Sequence, residues 1–471
     1  MASHTRLQGF LLADLPRHRR CSYLCFALAL CVALGSYQFV SPVKTAIFLD
    51  LVGTQHEPVA RSLVLVVLVP VLFLYGVVAS AVGSSRRLVL AVCGFYALAY
   101  VATSAVLLAS AGRPGAWFAW ALYYITETRS VVVMPMIWSV VADASTTSMA
   151  KRAFPPMFAL IQLGGIAGSL VAVRARSLGG EVGLLLLQAA AFGLVAGLAW
   201  LGCHAASADV AEAEQETSPL RPADGAEDAA VAKARDAPGL RLSAPGRLVR
   251  NALCEGFEGL WLLLSQPYAF GVFWVSYANL MPRTILDYQN SVLVKEAFPS
   301  RMDQIAFLGN INLAINSGVA LLTLLGTSSI VEAVGIGGSL LMLPAVMLCC
   351  VLALCTNYSL WTSVWTLMVS CVVAYGLNSP CKEMLYVRTS REVKIKAKAW
   401  SEMYGNQLMK LLGAQVNLWV NRDALACEHH CFQPMVTIGT VAAWVSLWAA
   451  AAAYLQRVHA KMEAEDAKSV C

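Results

Sequence analysis

Asp209 to Gly239 reads DVAEAEQETSPLRPADGAEDAAVAKARDAPG, a mixture of acidic, basic, alanine and proline residues with almost no large hydrophobes. Such a composition cannot bury enough apolar surface to fold, so it predicts a disordered linker over 205–251. Outward from this linker the chain is strongly apolar in both directions. Toward the N-terminus lie runs near Cys21–Val40, Val59–Val82, Leu88–Ser110, Trp117–Val141, Phe154–Arg174 and Val182–Cys203. Toward the C-terminus lie Pro267–Tyr288, Ile305–Leu325, Ile336–Cys355, Leu360–Leu377, Ala399–Val420 and Met435–Leu455. Each approaches the ~20 residues that a helix needs to cross a bilayer.

Composition agrees with that reading. Of 471 residues 58% are hydrophobic and 13% are charged, and the mean hydropathy is +0.64, values that place the chain among integral membrane proteins. The formal net charge of +6 is small for the length and gathers at loops. It therefore reads as topology, and no nucleic-acid partner is expected. The N-terminal basic residues, Arg86-Arg87, Lys151-Arg152, the linker and the basic stretch near 382–398 fall on one side if both termini are cytosolic. The domain plan is a cytosolic N-terminus (1–20), a six-helix half (21–204), the linker (205–251), a second six-helix half (252–458) and a cytosolic tail (459–471). The predicted fold is an all-α polytopic membrane protein of about 12 transmembrane helices in two halves, similar to the major facilitator layout. The first run lacks a small-residue cleavage site and is read as a helix that stays; which membrane it enters, an organelle (plastid-type) envelope or the plasma membrane, is open, as is the oligomeric state.

Cysteines do not form a disulfide pattern, since many of the 14 lie within apolar runs. Cys427, His429, His430 and Cys431 form a short cluster without a second ligand group, so no metal is expected, nor any cofactor. No Walker loop, nucleophile elbow or HExxH motif is present, which disfavours an enzyme. Gly164, Gly165 and Gly168 in LGGIAGS read as a close helix-packing face.

Ionised groups within spans carry the functional signal, because each costs at least ~2.5–3.5 kcal/mol at the bilayer centre and needs a partner or a substrate. Lys44 follows Pro42, which is expected to break the first helix. Glu127 and Arg129 lie inside the fourth run on different helical faces. Asp287 closes the seventh run, with Arg283 one turn earlier. Lys398 stands at the entrance of the eleventh run, after the basic stretch NSPCKEMLYVRTSREVKIKAKAW that starts at Asn378. Secondary candidates are Arg152, Lys382, Asn310, Asn406 and Lys410, the amides serving equally well as interhelical hydrogen-bonding groups. Tyr37, Tyr123 and Tyr288 read as core aromatics.

Three segments bear a resemblance: PCKEMLYV followed by VKIKAKAW, IWSVVADASTTSMAKRAFPPMFALIQLGGIAGS, and VKEAFPSRMDQIAFLGNI. They are similar to TLC-type ATP/ADP translocases, the nucleotide transport proteins of plastids and intracellular bacteria. The resemblance implies exchange of ATP for ADP, with phosphate or protons as further transported species, by alternating access. It assigns substrate-binding roles to Lys44, Glu127, Asp287 and Lys398, with Asp287 as a shortened carboxylate. The alternatives are a proton-coupled symporter of nucleotides or another organic anion, and a non-transporting membrane scaffold or sensor.

Overall fold

The computed structural model describes residues 17–143, 145, 147–216, 258–387, 389, 393, 397–420 and 433–470. The Cys427–Cys431 cluster lies outside the described residues, as does most of the 205–251 linker, and nothing is described of the Arg152 side chain. The described chain is all helix and turn. The first series runs α1 (Arg17–Leu51), α2 (Glu57–Val82), α3 (Ser85–Ala109), α4 (Ala116–Asp143), α5 (Thr147–Val173) and α6 (Gly180–Glu216). The second runs α7 (Pro267–Tyr277), α8 (Leu280–Ala297), α9 (Arg301–Leu321), α10 (Thr327–Thr356), α11 (Leu360–Val373), α12 (Ser379–Val387), α13 (Asn406–Val420) and α14 (Pro434–Val470). Among the described residues nine helical stretches are long and apolar enough to span a bilayer, and the longest, Arg301–Thr356, has the length for two crossings. The chain is a multi-pass integral membrane protein.

Each series packs about a helix near its start. In the first series α1 packs on α4, α5 and α6, and α3 on α6; in the second, α8 packs on α11 and α13, and α10 on α14. Side chains that face these seams form two large apolar clusters, one per series. The series meet where α5 and α1 lie against α9 and where α2 lies against α13. Glycine allows the tightest crossing: a Cβ on Gly35 of α1 would stand 2.7 Å from the Gly164 carbonyl oxygen of α5, nearer than carbon and oxygen tolerate. The LGGIAGS face is thus a helix seam.

Two prolines shape the helices around the charged residues, and the break expected at the first does not occur. α1 does not break at Pro42 but runs through it to Leu51, which places Lys44 inside the helix. Pro42 has no N–H, so the Gln38 carbonyl one turn earlier loses its helical donor, and Asn312 of α9 supplies an Nδ2–H from 3.5 Å. In the seventh run the helix instead divides between Tyr277 and Leu280. Pro282 strips the donor from the Ala278 carbonyl there, and the Trp444 indole Nε1–H of α14 fills the vacancy at 2.8 Å. Asp287 therefore lies midway along α8, not at the end of a span.

Among the described residues the second series also contains π turns at Leu322–Gly326, Ala374–Asn378 and Ser401–Gly405, and a non-helical Gly335 (φ 73°) inside α10. That glycine separates the long stretch from Arg301 into its two crossings. The positive φ is one that only glycine adopts without strain.

Candidate functional site

Opposite charges gather where α1, α2, α4, α8 and α13 face one another. Lys44 of α1 reaches Glu127 of α4, Nζ to Oε1 at 2.5 Å, with the Tyr123 ring 4.3 Å from the ammonium. The pair is buried, with side-chain exposures of 5% and 14%. Removing both ions from water is offset only by this close geometry, so neither residue tolerates the loss of the other. Arg61 of α2 binds two carboxylates: Nη2 to Glu57 Oε1 at 3.1 Å, one turn away, and Nη1 to Asp287 Oδ2 at 3.2 Å on α8. Arg283 approaches Asp287 from its own helix, Nε to Oδ2 at 4.0 Å, and donates from Nη1 to the Tyr375 hydroxyl at 2.6 Å. Lys410 of α13 completes the group. It lies within electrostatic reach of Glu127, Asp287, Arg61 and Arg283, yet no ion pair or hydrogen bond holds its ammonium among the described residues.

Charge counting decides what such a site can hold. Lys44, Arg61, Arg283 and Lys410 face Glu57, Glu127 and Asp287, leaving one net positive charge, carried by the one lysine without a paired partner among the described residues. A single anionic group balances it. Several phosphate charges do not.

Lys398 stands elsewhere. It pairs with Glu383 at 2.7 Å and Glu402 at 3.9 Å, and Lys382 approaches the same two carboxylates at 3.5 and 3.6 Å, making a four-membered ring of alternating charge. The ring ties α12 to the turn that enters α13. It is self-neutralised, and its glutamates are about half exposed. The structure thus brings Lys44, Glu127, Asp287 and Lys410 together and sets Lys398 and Lys382 apart. Asn310 is exposed on α9, whereas Asn406 has its side-chain oxygen buried without a partner. Arg129, two residues from Glu127, turns away into the first bundle and donates to the Ala33 carbonyl and to Ser36. Sequence reasoning missed Glu57 and Arg61, because the second span was started at Val59 and Glu57 fell into a loop. Their four-residue spacing on a helix was the available signal.

At the end of the bundle where α1 finishes, further ion pairs join the two series. Asp50 holds Lys295 at 2.8 Å and Arg301 at 3.5 Å; Arg301 also holds Glu181 at 3.2 Å, and Arg176 holds Asp303 at 2.6 Å. Arg301 in addition donates to the Gly112 carbonyl at 2.6 Å.

No protein-family model matches this chain, and no curated protein matches it in sequence. Solved structures match in fold over nearly the whole length. A POT family transporter in complex with 5-aminolevulinic acid aligns with a TM-score of 0.57 at 11% identity, covering 92% of this chain and 96% of that one. The nucleoside transporter NupG aligns with a TM-score of 0.50 at 15% identity, covering 93% and 99%. A peptide transporter POT in complex with sulfate aligns with a TM-score of 0.51 at 14% identity, covering 93% and 94%. At these identities the likeness is one of fold alone, that of an all-α polytopic membrane protein.

These findings correct the expected TLC-type ATP/ADP translocase. The folds that match are peptide and nucleoside transporters, and the three quoted segments do not identify a translocase family. ATP-for-ADP antiport and ATP, ADP or phosphate as transported species fall with it. The physical reason lies in the site. Lys44 is held by Glu127 and Lys398 by Glu383 in two separate pairs, so neither presents an uncommitted charge to a polyanion.

Proposed function

We propose that this protein is a proton-coupled symporter that carries a small organic solute bearing one anionic group, by alternating access between two helix bundles. The observation that carries the reading is Lys410: its ammonium lacks an ion-pair partner in a cluster where the other charged groups are paired or near pairing. A solute carboxylate would bind there through a charge-assisted hydrogen bond. Asp287 is the coupling carboxylate. It belongs to the second series and holds Arg61 of the first, so protonating it releases a link between the bundles. Lys44 and Glu127 keep the first bundle's side of the cavity neutral and fix its shape.

The finer architecture belongs to the same proposal. Six helices over 21–204 and six over 252–458 move against each other, joined by the 205–251 linker, with the tails 1–20 and 459–471 on the cytosolic side. The separate apolar cluster of each series supports this. The Lys382–Lys398 ring lies along the route in, and Asn406 adds polar lining, while Arg152 and Asn310 remain secondary candidates. Similar folds named for peptides, nucleosides and a complex with 5-aminolevulinic acid suggest the first solutes to try.

The test is uptake into proteoliposomes of a dipeptide, a nucleoside and 5-aminolevulinic acid, with and without a pH gradient that is acidic outside. Gradient-driven uptake of a carboxylate-bearing solute, lost in Lys410→Gln, supports the proposal. Uptake indifferent to the gradient, or unchanged in Lys410→Gln, sinks it.

A further inference from the structure

Tyr375 belongs to the wide turn Ala374–Asn378 that ends α11. Its four companions in that turn, Ala374, Gly376, Leu377 and Asn378, are buried, whereas Tyr375 is 48% exposed. That exposure is not to lipid. The Tyr375 hydroxyl accepts a hydrogen bond from Arg283 Nη1 at 2.6 Å, the guanidinium Cζ stands 4.9 Å from the ring centre, and Tyr37 of α1 lies within electrostatic reach. Tyr37 and Arg283 come from opposite series, and both belong to the charged neighbourhood: Tyr37 lies near Lys44 and Glu127, and Arg283 near Asp287 and Lys410. The open part of the ring therefore looks onto the space between the series, in the company of the uncommitted Lys410.

The backbone fixes the ring in this attitude. Widened turns interrupt regular helical hydrogen bonding and recur at functional sites. Here the Gly376 carbonyl is taken up by Thr327, the buried residue that follows the neighbouring wide turn Leu322–Gly326, whose hydroxyl donates to it at 2.6 Å. Tyr375 is thus held at one end through its backbone and at the other through its hydroxyl on Arg283. A ring held at both ends and open between them loses little freedom when a flat partner lies against it.

We propose that Tyr375 sets the specificity of the Lys410 site: a solute whose carboxylate is held by Lys410 lays an aromatic body against the Tyr375 ring, and aromatic carboxylates are preferred to saturated ones of the same size. The inference rests on the reading of Lys410 as the carboxylate site.

Binding of phenylacetate and cyclohexylacetate, one carboxylate each on the same carbon skeleton, is measured by isothermal titration with wild type, Lys410→Gln, Tyr375→Leu and Tyr375→Phe. The saturated acid is the more apolar of the two, so partition into detergent or lipid works against the expected result. Wild type is expected to bind the phenyl acid about 2- to 10-fold more tightly, the range of an aromatic pair. Tyr375→Leu brings that ratio close to unity, and Tyr375→Phe keeps it, since the ring remains. Equal affinities in the wild type, a ratio that survives in Tyr375→Leu, or a ratio lost as fully in Tyr375→Phe overturns the assignment. Saturable binding of neither acid overturns it too and leaves Lys410 to be judged by the uptake assay; binding of both that is unchanged in Lys410→Gln sinks the reading of Lys410 as well.

Discussion

Arg61 and Asp287 meet at 3.2 Å across the two helix series, and the same guanidinium holds Glu57 at 3.1 Å on its own helix. One residue thus stays anchored in the first bundle while its second hand opens or closes on the other. Protonation of Asp287 leaves Arg61 on Glu57, while Arg283 keeps only its hydrogen bond to Tyr375 and adds a second uncommitted positive charge to the cluster. Uptake is accordingly expected to rise as outside pH falls. Asp287→Asn, which mimics the protonated form, should keep solute binding but abolish accumulation driven by a pH gradient; equilibrium exchange of solute across the liposome membrane should persist.

Lys410→Gln removes the uncommitted charge. The loss of a hydrogen bond to a charged group, ~1.5–3 kcal/mol, corresponds to roughly a 10- to 100-fold weaker affinity for a carboxylate-bearing solute. Isothermal titration with wild type and variant checks this, and a neutral analogue of the solute should bind both equally.

Lys44 and Glu127 should behave as a unit. Lys44→Met leaves a buried, unpaired carboxylate and is expected to destabilise the protein by ~3–5 kcal/mol, as Glu127→Leu should by leaving the lysine. The double variant should recover most of the loss. Thermal unfolding of all four proteins, read as a double-mutant cycle, decides it.

Trp444→Phe deletes the indole donor to the Ala278 carbonyl while keeping most of the ring's bulk. A buried acceptor without its donor costs ~1–3 kcal/mol. A lower unfolding midpoint in Trp444→Phe, and recovery when Pro282→Ala returns an N–H one turn downstream, is the expected pattern.

The ion pairs of Asp50 with Lys295 and Arg301 should favour closure at the α1 end. Asp50→Asn removes both, and spin labels introduced at Arg113 and Pro299 should show a longer-distance population in the variant. Exposed pairs are individually weak, so a shift of a few-fold in the ratio of the two populations is expected, reduced further in high salt.

Much of the fold was legible, because apolar runs of bilayer length leave a chain few alternatives. Proline was the point of failure. Its consequence depends on whether a distant side chain offers a donor to the orphaned carbonyl, as Asn312 does for Gln38 and Trp444 for Ala278. Nothing local to Pro42 or Pro282 contains that information. The candidate site was half visible: charges in spans pointed to Lys44, Glu127 and Asp287, and Lys410 was noticed as secondary. Pairing is a property of three-dimensional neighbours. Without it, nothing tied Lys44 to Glu127 or Lys398 to Glu383, and the likeness of three short segments to a nucleotide carrier gave both lysines a substrate-binding role.

The π turns and the Gly335 break fall in the second series; among the described residues the first series shows neither inside its helices. Wide turns of this kind interrupt the regular ladder and lower the resistance of a helix to bending. The two series are therefore interrupted by different means: the first by prolines within its helices, Pro42 in α1, Pro70 in α2 and Pro135 in α4, and the second by wide turns as well. If the bundles rock as proposed, the wide turn at Ala374–Asn378 is a place where the second can bend, and a substitution that regularises it is expected to slow uptake without touching a single charged group.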